Sequence, residues 1–179
     1  MKILICYATT EGQTRKIARF CADQLFAGGH NVEVLAVNDA EALDLAGFDA
    51  AILAGSVHIG RLQRELATFA EASAPALNGL PTKLLVVSLS AAGGEKSEMD
   101  DLDRMVQAFC HETGWTPGAV HHVAGAFRFT EYDFFKFWAL RWIAARKGQK
   151  VDPNADMEYT DWAVLADLLK DWPGPQSPA

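Results

Sequence analysis

Lys2-Ile3-Leu4-Ile5-Cys6-Tyr7-Ala8, followed by Thr9-Thr10-Glu11-Gly12-Gln13-Thr14, decides the fold. The first seven residues form an almost unbroken apolar run, the signature of a strand buried on both faces. The next six are polar, with three hydroxyls and one glycine. Thr14–Ala27 then carries Ile17, Ala18, Cys21 and Leu25 at helical spacing, and Gly28-Gly29 ends it. The pattern is strand, short polar loop, helix.

The same alternation continues along the chain. Asn31–Val37, Ala50–Ala54, Lys83–Ser90 and Val120–Ala126 are expected as strands. Arg61–Ala74, Met99–Thr113 and Thr160–Leu169 are expected as helices. Five apolar strands alternating with helices imply a parallel sheet covered on both faces, a doubly wound α/β fold. In such sheets ligands sit beyond the carboxyl ends of the strands, where the strand order reverses. The loops after the first, third and fourth strands are therefore the places to look for chemistry. One domain over residues 1–172 is expected, with an insertion at about 127–158 and a frayed proline-bearing tail at 173–179.

Composition bounds the function. Half of the 179 residues are hydrophobic and 22% are charged, which excludes wholesale disorder. Sixteen basic residues against 23 acidic ones give a net charge of −7, which argues against a generic nucleic-acid binder. Cys6, Cys21 and Cys110 show no metal-ligand spacing and read as buried thiols in a reducing compartment. The N-terminus reads as neither a signal peptide nor an anchor, and no apolar run is long enough to span a bilayer.

The first loop lacks both GxGxxG and GK[ST]. Its hydroxyls and the N-terminus of the following helix suit a monophosphate that needs no lysine, because unpaired N–H groups and the helix dipole face such an anion. A plain N-cap and turn fits the same residues. The spacing Tyr7-x-Thr9-x-x-Gly12-x-Thr14-x-x-x-Ala18 resembles the N-terminal pattern of the flavodoxin family. That resemblance implies a strand order of 2-1-3-4-5 and bound FMN. Thr9, Thr10, Glu11, Gly12, Gln13 and Thr14 would then hold the phosphate. Receiver domains share the fold, but they need carboxylates where this chain has Ala8-Thr9 and Ala54-Gly55.

By the same resemblance the flavin ring would lie between Ser56-Val57-His58-Ile59-Gly60 and Ser88-Leu89-Ser90-Ala91-Ala92. Flavodoxins that carry electrons stack aromatic residues there; this chain offers only His58, which also fits an ordinary loop histidine.

Between Phe127 and Trp142 lie eight of the chain's eighteen aromatic residues. Over Phe127–Lys150 six basic residues face two acidic ones, a net +4 on a body that is otherwise −11. At helical spacing Lys136, Arg146, Lys147 and Lys150 share one arc, opposite the aromatic side. Two readings stay open: an interfacial or substrate-binding helix, or aromatics packed on the domain under a solvated basic face.

The stretches Gly125-Ala126-Phe127-Arg128-Phe129 and Tyr159-Thr160-Asp161-Trp162 narrow the match. With the phosphate loop they make the chain similar, over about residues 1–170, to the flavodoxin-like protoporphyrinogen oxidases. That resemblance implies FMN-dependent oxidation of protoporphyrinogen IX to protoporphyrin IX in haem synthesis, in successive two-electron rounds, with electrons leaving through a respiratory quinone. It also implies a cytoplasmic protein in peripheral contact with the inner face of the cell membrane through 127–150. Arg128, Trp138, Arg141 and Trp142 would address the substrate or the membrane. No metal and no acid–base residue is implied. The acidic stretch Ala91–Asp103 departs from the family and would repel propionates. A flavodoxin-type electron carrier and a non-enzymatic binding module are the alternatives.

Overall fold

A computed structural model of the protein describes residues 1–40, 43–93, 96–127 and 157–174. The chain runs β1 (Lys2–Ala8), α1 (Gln13–Ala27), β2 (Asn31–Ala36), β3 (Ala50–His58), β4 (Arg61–Leu62), α2 (Arg64–Leu77), β5 (Thr82–Ser88), α3 (Ser90–Gly93), α4 (Lys96–Thr113), β6 (Ala119–Ala124), β7 (Ala126–Phe127), β8 (Met157–Glu158) and α5 (Trp162–Asp167). The main sheet has the order β2-β1-β3-β5-β6, all parallel, with β4 antiparallel to β3. Counting only the parallel strands, this is the expected 2-1-3-4-5.

The central strands β1, β3 and β5 are mostly apolar because each of their faces meets helices, while the edge strands carry Glu33 in β2 and His121 and His122 in β6. Successive side chains alternate across the sheet, and two cores follow. Leu4, Cys6, Leu53, Leu84 and Val86 pack with Leu66, Phe69, Val106, Phe109 and Trp115 on the α2–α4 side. Ile3, Ile5, Ile52, Leu85 and Val87 pack with Ile17, Ala18, Cys21, Leu25 and Leu165 on the α1–α5 side. Each fully buried Ile or Leu contributes about 1.5–3 kcal/mol relative to exposure. The apolar stripe of α1 thus fixes which of its faces meets the sheet, and that choice aims its N-terminus at the carboxyl end of β1. The helix stops at Gly28-Gly29, where Gly29 adopts φ 86° and His30 N donates to Leu25 O at 3.1 Å.

Several boundaries differ from expectation for local reasons. The third strand runs on to His58 and folds back as a tight hairpin, pairing Val57 with Leu62 and His58 with Arg61. Its two turn residues, Ile59 (φ 50°) and Gly60 (φ 70°), both take positive φ, the requirement of a two-residue hairpin turn. The next helix therefore starts at Arg64 rather than Arg61. The fourth strand stops at Ser88, and Ser90 begins a short helix. The fifth breaks at Gly125, after which Ala126–Phe127 pairs instead with Met157–Glu158. The last helix begins at Trp162, because Asp161 Oδ1 caps the N–H groups of Ala163 (3.1 Å) and Val164 (3.0 Å). Cys6 and Cys21 are buried as expected, and Cys110 is only half-buried.

Candidate functional site

β1 lies between β2 and β3, so the path of the chain across the sheet reverses there and a crevice opens at the carboxyl ends of β1 and β3. A shallow cleft, open to solvent, occupies that place. It is lined by Thr9, Thr10, Glu11, Gln13 and Thr14 from the first loop, Ser56, Val57 and His58 from β3, and Val87, Ser88 and Leu89 from the end of β5. Gly125 and Ala126 complete it.

The first loop is held open by its own geometry. Gly12 sits at φ 88°, a left-handed conformation that a side chain would strain, and its N–H donates to Thr9 Oγ1 at 2.9 Å. No side chain caps α1, and its first turn carries no carboxylate. The first bond of the helical ladder runs from Lys16 N to Gly12 O at 3.1 Å. The N–H groups of Gln13, Thr14 and Arg15 therefore precede the ladder, at the positive end of the dipole. Thr14 is fully buried, yet its Oγ1 has no hydrogen-bond partner among the described residues. A buried hydroxyl without a partner costs about 1–3 kcal/mol, and an anion accepting from it would recover that cost. The plain N-cap and turn leaves this hydroxyl unexplained.

The other two walls are built from small side chains. Ser56 Oγ accepts from Gln63 Nε2, which ties the end of β3 to the start of α2. Gly55 makes room there: a Cβ would lie 2.5 Å from Leu66 Cδ2, so the buried Leu66 side chain would have to shift. Ser88 Oγ accepts from Ala91 N at 3.1 Å and Ser88 O from Gly125 N at 3.0 Å, so the β5 loop is drawn toward β6. Apart from His58, no aromatic side chain lines the cleft among the described residues.

The structure thus brings together Thr9, Thr10, Glu11, Gln13, Thr14, Ser56, Val57, His58, Ser88 and Leu89, with Gly12 shaping the loop. It sets five expected residues apart from the lining. Ile59 and Gly60 form the hairpin tip, with Ile59 80% exposed. Ser90, Ala91 and Ala92 open α3, where Ala92 N donates to Leu89 O at 3.0 Å. Arg128, Trp138, Arg141 and Trp142 lie outside the described residues. Val87, Gly125 and Ala126 were missed by sequence reasoning. A glycine at 125, inside the run expected as a strand, was the signal that could have found the last two.

A second groove, lined by Tyr7, Arg15, Arg19, Asp23 and Asp39 among others, lies between α1 and β2. Its charges balance and it holds no buried unpartnered side-chain polar atom, so it makes the weaker candidate. Among the described residues there is no group of metal-binding side chains, and no helix is long and apolar enough to cross a membrane.

The fold and this cleft define a doubly wound α/β protein with an anion-ready loop at its switch point. The family model described as "Flavodoxin domain" matches residues 4–154, and the chain belongs to that family. Flavodoxin is the type example of a ligand at the β1/β3 switch point. The chain is 27% identical over 171 residues to a protein of Escherichia coli (strain K12) named protoporphyrinogen IX dehydrogenase (quinone), covering 96% of this chain and 94% of that one. It is 26% identical over 173 residues to a Leishmania major protein of the same name, covering 96% of this chain and 74% of that one. Among solved structures, oxidised Flavodoxin 2 from Bacillus cereus superimposes with a TM-score of 0.54 at 19% identity, over 82% of this chain and all of that one, a likeness of fold.

Proposed function

We propose that this protein binds FMN and oxidises protoporphyrinogen IX to protoporphyrin IX, passing the electrons to a quinone. The observation that carries the reading is the match, over 96% of the chain, to relatives that bear that name. The cleft supports it physically. Its buried, unpartnered Thr14 hydroxyl and uncapped helix start fit a phosphate monoester.

In this reading the phosphate rests on the Thr10 and Thr14 hydroxyls, the Gln13 amide and the first N–H groups of α1. Glu11 and Gly12 shape that loop. Ser56–His58 and Val87–Leu89 flank the ring, with Ile59, Gly60, Ser90, Ala91 and Ala92 at the rim. Bound FMN supplies the hydride acceptor. The chain's own residues position it and leave one ring face clear for a flat substrate. Arg128 and Arg141 would meet the two propionates, and Trp138 and Trp142 a membrane surface holding the quinone. The whole would act as one domain over 1–172, in the cytoplasm, touching the membrane through 127–150.

The test is a visible spectrum of the purified protein before and after anaerobic protoporphyrinogen IX. A yellow protein is expected to bleach with substrate and to recover colour when quinone is added. A flavin-loaded protein that keeps its absorbance under substrate would remove the reading. A stable blue semiquinone on partial reduction would favour the electron carrier instead.

A further inference from the structure

We infer that Thr160 is a positioning residue for the phosphate loop: it fixes Gln13, and through Gln13 it sets the preference of the cleft for a phosphorylated flavin. The inference rests on the FMN reading above. It starts from a bond that spans nearly the whole chain. Gln13 Nε2 donates to Thr160 Oγ1 at 2.9 Å across 147 positions of sequence, in buried surroundings. Thr160 Oγ1 donates in turn to Ala124 O, at the end of β6, at 2.7 Å. A hydroxyl has one proton to give. With that proton committed to Ala124, Thr160 can only accept from Gln13. The network therefore orients the carboxamide, with its NH₂ toward Thr160.

The anchor behind Thr160 is itself fixed. Tyr159 N donates to Gly125 O at 3.0 Å, and Asp161 caps α5 through Ala163 and Val164. Two more contacts run alongside. Lys16 Nζ lies 2.5 Å from Glu158 Oε2, and the Phe20 and Trp162 rings are 4.8 Å apart between centroids. Gln13, Lys16 and Phe20 fall at i, i+3 and i+7, one face of α1. The segment Glu158–Trp162 is thus bound along that face from its first turn onward. Of the three contacts, only the Thr160 bond reaches a residue that also lines the cleft.

The consequence concerns the phosphate alone. Gln13 opens α1, and the N–H groups offered to an anion belong to Gln13 and the two residues after it. Replacing Thr160 by Val keeps the shape but leaves Gln13 Nε2 buried without its acceptor and Ala124 O without the Thr160 donor. The amide must then turn away to find one, and the first turn moves with it. The walls at Ser56–His58 and Val87–Leu89 have no part in this bond.

Titration of the flavin-free protein with FMN and with riboflavin, followed by quenching of flavin fluorescence, tests this. Thr160→Val is expected to weaken FMN about tenfold, or ~1.4 kcal/mol, with riboflavin affinity unchanged. Thr160→Ser, which keeps the hydroxyl, is expected to restore the wild-type ratio. Equal losses for both flavins, or no loss for either, would overturn the inference while leaving the FMN reading intact. No FMN uptake by the wild type would remove the reading itself. Should Thr160→Val fail to fold, Thr160→Ala removes the same acceptor without touching the cleft lining and should show the same selective loss. An unaltered FMN-to-riboflavin ratio in Thr160→Ala would then refute the inference.

Discussion

Thr14→Val is expected to change two properties in opposite directions. The substitution is nearly isosteric and removes only the hydroxyl, at a fully buried position in the first turn of α1. In the flavin-free protein that hydroxyl has no partner among the described residues. Burying it unpaired costs about 1–3 kcal/mol, so removing it should stabilise the free protein. We expect the low end, about 1 kcal/mol, because the residue borders a solvent-filled cleft. For a chain of this size that raises Tm by about 2–4 °C. With FMN the sign reverses. A hydrogen bond to a charged phosphate contributes about 1.5–3 kcal/mol, so FMN should bind roughly 10- to 150-fold more weakly. Urea unfolding without flavin, and flavin fluorescence titration, read the two quantities separately. If the variant unfolds at lower urea than wild type, the hydroxyl has a partner and the argument from its isolation fails. If FMN affinity does not change, the phosphate does not reach the first turn.

The remaining expectations are simpler. Asp161→Ala removes the acceptor for Ala163 N and Val164 N and should cost about 1 kcal/mol in urea unfolding, with Asp161→Ser largely restoring it; an unaltered midpoint in the alanine variant would mean that the cap contributes nothing. Burial, with the neighbouring Lys83 and His122, holds the His121 imidazole below its usual 6.5. The unfolded chain then binds the extra proton first as pH falls below 6.5, so this contribution to stability is full above 6.5 and declines below it. His121→Gln should flatten that slope in urea midpoints measured across weakly acidic pH, and an unchanged slope would place its origin elsewhere. Cys6 and Cys21 are fully buried with thiols pushed up to about 12, whereas Cys110 is half-buried. A thiol reagent should label Cys110 in the native protein and the other two only on unfolding; rapid native labelling of Cys6 would contradict the packing of β1.

How much of this was legible in the sequence follows from where the determining contacts lie. β1, β3 and β5 were legible because a parallel strand covered on both faces must be apolar at every position, as in Ile3–Cys6 and Ala50–Ala54. The phosphate loop was legible because its hydroxyls, its glycine and the helix start are contiguous. The hairpin after β3 was not. β4 is only two residues long, too short to show a period, and Ile59 is not a residue that announces a positive-φ turn. The break at Gly125 was hidden because Ala126–Phe127 pairs with residues some thirty positions away. The bond from Gln13 to Thr160 leaves no local trace at all. Asp161 caps the last helix, and its neighbour Thr160 faces the loop.

The hairpin tip bears on what the cleft can admit. A β-branched residue at φ 50° is an outlier, since its Cβ crowds the backbone in that region. Glycine or asparagine would fill the turn at lower cost, and neither would present an apolar surface. Ile59 holds one out, 80% exposed, directly after His58 in the cleft wall. The walls themselves carry Ser56, Val57, His58, Val87, Ser88 and Leu89 and no Phe, Tyr or Trp among the described residues. Rings stacked on both sides of a flavin would cover the face that hydride must cross. Small walls with an apolar residue at the rim leave that face open and give a flat, apolar molecule something to lie against. On the proposed reading these two features belong together: among the described residues the cleft has no Phe, Tyr or Trp to enclose a flavin for electron carriage, and it keeps a strained, exposed isoleucine where a tetrapyrrole would have to enter.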